Sequence, residues 1–206
     1  MRYIQNQIKL GNISTSESEL KDALKAWIAI SVAFAIVMGS GLSSFYTRFI
    51  IASLTVGMGF LLHELGHKIV AQRYGCFAEF RSFDNMLLLA IAMSFFGFVF
   101  AAPGAVMISG RINNAKNGKI SAAGPVVNLG LALIFLTLAV FPLSSLLKTI
   151  AYYGFLINSW LALFNMIPFW LFDGYKILRW SKAFYAIIVA VAFAFTMANN
   201  LAIFKL

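Results

Sequence analysis

The only two histidines of this 206-residue chain, His63 and His67, stand four residues apart in the apolar run LLHELGHKIV, with Glu64 directly after the first. On an α-helix, residues i and i+4 share a face. Both imidazoles can therefore reach one ion at the roughly 2.0–2.1 Å of zinc–nitrogen bonds. Glu64 is turned by about 100° from His63, near enough to act on a water at the ion without being a ligand. Zinc lowers the pKa of a bound water towards about 7, and a neighbouring carboxylate can take that proton and pass it to a leaving amine. H-E-x-x-H is thus a pattern for metal-assisted hydrolysis. The bland reading is a chance pair of core histidines. It leaves three ionisable groups in an apolar run with no role to offset their cost.

The elements that must carry this motif follow from composition. The chain is 61% apolar and 11% charged, and several of its windows reach the ~20 apolar residues that span a bilayer core. The expected class is an all-α polytopic membrane protein, one membrane-embedded domain over 1–206 with residues 1–25 as a cytoplasmic lead. That lead is too long for the n-region of a signal peptide, so none is expected. The single cysteine, Cys76, rules out an intrachain disulfide and a Cys-based zinc site. A net charge of +9 invites a nucleic-acid reading, but the basic residues stand singly between apolar runs. They read as topology anchors at a lipid bilayer, with no nucleic-acid partner. Ser16 and Glu19 have capping-box spacing ahead of a first span over Ala26–Leu42. Later apolar segments run over Phe49–Val70, Met86–Ile108, Ala122–Leu143, Ile150–Phe172 and Ala183–Phe204.

Charge decides how many of these six cross. If all do, the sixteen Lys and Arg divide nine to seven, which orients nothing. If Met86–Ile108 enters and leaves on one side, only Arg48, Lys148 and Lys205 lie opposite the other thirteen. That asymmetry places the N-terminus in the cytoplasm. Gly97 and Pro103–Gly104 interrupt the same segment, and broken helix at membrane depth is tolerated where protein or a wet cavity covers it. The expectation is five crossings plus a re-entrant segment at about 84–110, with a short strand in AVMISG. His63 lies ten residues before Arg73, about 15 Å along a helix, and fifteen after Arg48, about 22 Å. The metal would sit inside the hydrocarbon region, nearer the cytoplasmic face.

Two histidines and a water leave a tetrahedral zinc one protein ligand short. Of seven carboxylates, Glu17, Glu19 and Asp22 belong to the lead, and Glu79 and Asp84 read as interfacial loop residues beside Arg81. Asp173 ends the run NMIPFWLFDGY. With the re-entrant segment it falls in the same membrane half as His67; with six crossings it would be out of reach.

H-E-L-G-H in one span, followed much later by N-x-x-P-x-x-x-x-D-G (Asn165, Pro168, Asp173, Gly174), resembles the site-2 protease family of intramembrane zinc metalloproteases. AAGPVVN, with Gly124, Pro125 and Asn128, resembles that family's G-P-x-x-N signature. The resemblance covers roughly residues 49–180. It implies zinc on His63, His67 and Asp173, Glu64 as catalytic base, and as substrate partner a transmembrane helix of another protein, cut within or near the bilayer to release a cytoplasmic fragment. Asn165 is a candidate substrate or oxyanion donor, with Pro168 between it and Asp173 freeing a backbone carbonyl. Asn128 is a second candidate for substrate binding, with an interhelical contact as the favoured alternative. Gly124–Pro125 is expected to begin a helix. The rival classes are a metal transporter and an idle protease-like binding partner; the first needs polar groups all the way across, the second commonly lacks a ligand or the base.

Overall fold

In the computed structural model, which describes residues 7–11, 13–39, 44–99 and 103–198, a short hairpin of β1 (Gln7–Leu10) and β2 (Ile13–Ser16) leads into α1 (Glu17–Val37). Ser16 caps α1 as its spacing predicts, its hydroxyl accepting from Glu19 N–H at 3.1 Å. The other half of the capping box is absent, because the Glu19 carboxylate turns away from its own helix to distant partners.

The motif lies in a 29-residue helical run, Phe45–Arg73, made of α2 (Phe45–Ala52), a π-helical turn (Ser53–Gly57) and α3 (Met58–Arg73). A π turn widens the backbone spiral and is frequent near functional sites. Here Ser53 O accepts from the Trp27 indole of α1 at 3.1 Å. Two glycines after it set the packing. A Cβ at Gly57 would lie 2.7 Å from Ser31 Oγ on α1, and one at Gly59 would lie 2.5 Å from Asn158 Oδ1.

Contacts along each helix pair give its direction. Glu19 meets Lys68, Trp27 meets Ser53 and Gly39 meets Arg48, so α1 runs antiparallel to the Phe45–Arg73 run. His67 meets Ile120 and His63 meets Asn128 on α5 (Asn114–Ala139), again antiparallel. Asn128 meets Asn158 on α6 (Ser145–Asn165), and Ala139 packs with Ala151. Met166 then meets Tyr185, and Phe155 meets Phe195, on α8 (Lys182–Met197). Five helical runs therefore alternate in direction. Core clusters between them are built largely from Ala, Ile, Val and Phe.

Between α3 and α5 the chain forms β3 (Phe77–Ser82), α4 (Asp84–Ser94) and β4 (Gly104–Ser109). The strands pair antiparallel with Ser82 opposite Gly104, so this insertion ends beside where it began. The described chain is mostly helical, as expected; β4 is the short strand expected in AVMISG, while its pairing with β3 and the β1–β2 hairpin were not foreseen. The apolar run Met86–Ile108, expected to be broken at Gly97 and Pro103–Gly104, divides into α4 and β4. Its helical part, α4, has 11 residues, about 16 Å, too short to cross a core of ~30 Å. Glu79 is no loop residue either: it lies buried in β3. Asp84 starts α4 and is held by Lys25 at 2.7 Å.

Three helices among the described residues are long and apolar enough to cross a membrane: Phe45–Arg73, Asn114–Ala139 and Ser145–Asn165. The expected five fall to three on that measure for local reasons. Lys21, Asp22 and Lys25 occupy the first turns of α1, and α8 has 16 residues before the run continues outside the described residues. Gly124–Pro125 sits in the middle of α5 rather than at its start. The segment expected as Ile150–Phe172 stops being helical at Asn165, and a further helix, α7 (Asp173–Trp180), follows a loop.

Candidate metal centre

The third group to join the histidines comes from the far side of the chain. Asp173 Oδ2 lies 3.0 Å from His67 Nε2 and 3.3 Å from His63 Nε2, and all three residues are buried. Their ligand atoms fall within 4.8 Å of one another. A tetrahedron with bonds of about 2.0–2.1 Å has edges of roughly 3.3 Å, so the spacing suits zinc.

Proton accounting points the same way. His67 Nδ1 lies 2.8 Å from Ile120 O, which can only accept, so Nδ1 carries the proton. Asn128 Nδ2 donates to Gly59 O at 3.2 Å and to Asn158 Oδ1 at 3.0 Å, which turns its Oδ1 towards His63 Nδ1 at 2.5 Å. His63 is thereby protonated on Nδ1 as well. As neutral imidazoles, both histidines would then turn an Nε2 lone pair towards a carboxylate oxygen, three acceptors that a cation reconciles. The donor set of two imidazoles and one carboxylate is one that zinc takes in catalytic sites, with a position left open.

Asn128 is fully buried, with its polar atoms held by His63, Gly59 and Asn158. It faces a histidine rather than an open surface. Asn128→Ala is expected to lower zinc affinity about 10–100-fold, the usual effect of removing a partner that orients a ligating histidine. Competition titration against a chromophoric chelator measures it; wild-type affinity would rule this function out.

Glu64 points elsewhere. Its Oε2 accepts from the Val106 N–H of β4 at 3.1 Å. The strand expected in AVMISG is therefore present and lies against the motif helix, with β3 on its other edge.

Asp173 is delivered by the turn that follows α6. Gly174 rests on the Met166 backbone, where any side chain would collide, and Tyr185 Oη donates to Met166 O at 2.9 Å. Asp173 also begins α7, where the positive end of the helix dipole favours a carboxylate. Gly118 on α5 packs directly on Trp180 and draws α7 onto α5. Asn165 ends α6 and donates to Leu161 O of its own helix at 2.9 Å. Residues 166–172 form a loop between it and Asp173. Pro168 does not free a carbonyl, since Phe164 O accepts from Ile167 N–H at 3.2 Å.

Sequence reasoning missed Ile120 and Asn158, and took Gly124 for a helix start rather than for a close approach to the histidines. A Cβ at Gly124 would fall on Nε2 of both histidines, so α5 crosses the metal centre at a residue without a side chain. The signal was present in Gly124 and Asn128, spaced four apart like the histidines they face. Ile120 acts through its carbonyl, which no sequence pattern marks.

Two curated proteins of Methanocaldococcus jannaschii resemble the chain. One, named "Putative zinc metalloprotease MJ0611", is 45% identical over 143 residues, 68% of this chain and 75% of that protein. The other, "Zinc metalloprotease MJ0392", is 31% identical over 120 residues, 58% of this chain and 30% of that longer protein. No protein-family model matches the chain, and no solved structure matches it.

Proposed function

The chain belongs to a family of zinc metalloproteases, and on that premise we propose that it is an intramembrane protease of the site-2 type, cutting a peptide bond within or near the transmembrane segment of another protein. The observation that carries this reading is the convergence of His63, His67 and Asp173 beside a carboxylate, Glu64, that touches an edge strand.

In this reading His63, His67 and Asp173 hold the zinc. Bound there, the ion supplies a Lewis acid that polarises the peptide carbonyl and makes water nucleophilic near neutral pH. Glu64 takes the proton of the attacking water and delivers it to the leaving nitrogen. Ile120 O and Asn128 keep both imidazoles in the tautomer that presents Nε2. An unwound substrate segment adds to the outer edge of β4. Its carbonyl takes over the Val106 N–H and leaves the Glu64 carboxylate free for the water.

Membrane placement rests on charge and chain direction. Because α1 runs antiparallel beside Phe45–Arg73 from the level of Lys68 to that of Arg48, a crossing by one carries the other across. The same pairing supports crossings by α5, α6 and α8, with 74–113 returning to its own side. The thirteen-to-three division of basic residues then supports a multi-pass protein with its N-terminus in the cytoplasm. A metal transporter fits less well. Thr55, Thr149, Ser159 and Thr196 donate to carbonyls of their own helices, and no second cluster of possible metal ligands occurs among the described residues.

The test uses protein purified in detergent with a panel of single-pass membrane substrates. Wild type is expected to cleave at a bond in or near the span, and Asp173→Asn to lose both zinc and cleavage. Wild type that holds zinc and cuts a soluble unfolded protein but no membrane substrate would overturn the intramembrane reading.

A further inference from the structure

Outside the metal centre, the most elaborate buried polar cluster joins the start of α1 to the motif helix and to β3. Lys68, next to the candidate ligand His67, is buried and pairs with Glu19 Oε2 at 2.6 Å. Thr15 Oγ1 donates to the same oxygen at 2.8 Å. The other oxygen, Glu19 Oε1, accepts from Phe80 N–H of β3 at 2.9 Å. An ionisable pair this deep in an apolar chain calls for a role.

The register supplies it. Phe80 lies opposite Val106 in the β3–β4 ladder. At a non-hydrogen-bonded antiparallel pair, both N–H groups turn outward. Here each outward N–H ends on a carboxylate: Phe80 on Glu19, and Val106 on Glu64. Both carboxylates lead back to α3, Glu64 by belonging to it and Glu19 through Lys68, four residues on. The two-stranded sheet is therefore gripped at one ladder position from both edges by the helix that bears the metal ligands.

We propose that Glu19 and Lys68 are positioning residues for cleavage, holding β3–β4 at the height that aligns a substrate strand on β4 with the metal and Glu64. This rests on the reading of β4 as the strand on which substrate docks. Two features favour alignment over mere cohesion. The contact is made to a backbone N–H at the ladder position of Val106, not to a side chain. Glu19 also forgoes its capping-box bond to make it.

The experiment replaces the pair with apolar groups of similar size, Glu19→Leu with Lys68→Met, since a buried ion pair exchanged whole is often tolerated. Zinc content, kcat, KM and the product termini of one single-pass substrate are compared with wild type. The expected result is wild-type zinc content, a KM raised about tenfold with a smaller change in kcat, and a second cut two residues from the first, the slip that keeps strand side chains on their faces. Unchanged KM with a single wild-type cut would overturn the proposal. If the double variant loses its zinc, Glu19→Gln is read by the same criteria. Failure of wild type to cut any membrane substrate would instead overturn the protease reading itself.

Discussion

Glu64→Gln is expected to leave zinc content unchanged and to lower kcat by at least the ~10²–10⁴-fold that a general base contributes. The substitution is close to isosteric. The glutamine carbonyl oxygen can still accept from Val106 N–H, now made at 3.1 Å by Oε2, so β4 keeps its place. The three proposed metal ligands, His63, His67 and Asp173, are not touched. What disappears is an oxygen able to take a proton from water and give it to nitrogen. Metal analysis and single-turnover cleavage of a membrane substrate on the same preparation separate the two roles. Loss of zinc would make Glu64 part of the metal set, and cleavage within tenfold of wild type would remove it from the chemistry.

Gly124→Ala is the second large effect, and its sign runs against helix propensity. In a helix interior, alanine is favoured over glycine by about 1 kcal/mol, so a site with room would gain stability. Here the added methyl falls on Nε2 of His63 and His67, the atoms that would hold the metal. Retreat of α5 is opposed on its other flanks, where Gly118 sits directly on Trp180 of α7 and Phe135 lies against Gly154 of α6. The expected outcome is loss of zinc affinity beyond the ~10–100-fold of a lost supporting hydrogen bond, with helix content retained by circular dichroism. Wild-type zinc binding in Gly124→Ala would show that α5 does not press on the centre. Serine in place of alanine should be no better, since the collision is with the Cβ.

The part of this protein legible from sequence is the part set by short-range geometry. His63, Glu64 and His67 are four residues apart at most, and a helix places them without help from the rest of the chain. Ser16 caps α1 through a hydroxyl and an N–H three residues on, again a local matter. The apolar runs marked out helices long and apolar enough to cross a membrane, because a helix satisfies its own backbone groups in lipid. Asp173 could be singled out since the chain has so few carboxylates.

Tertiary structure decided everything that depends on which faces meet. Met86–Ile108 carries visible breaks at Gly97 and Pro103–Gly104, but the strand partner that returns it beside its start, Ser82 opposite Gly104, is set only by the fold. Asn165 read as the better candidate for substrate binding and Asn128 as an interhelical contact, yet Asn128 reaches His63 while Asn165 bonds to its own helix. Glu19 read as half of a capping box, and only the packing of α1 on α3 and β3 brought Lys68 and Phe80 N–H to it. A buried carboxylate goes to the strongest donors within reach, a charged amine and a free backbone N–H, and which donors are within reach is settled by the fold.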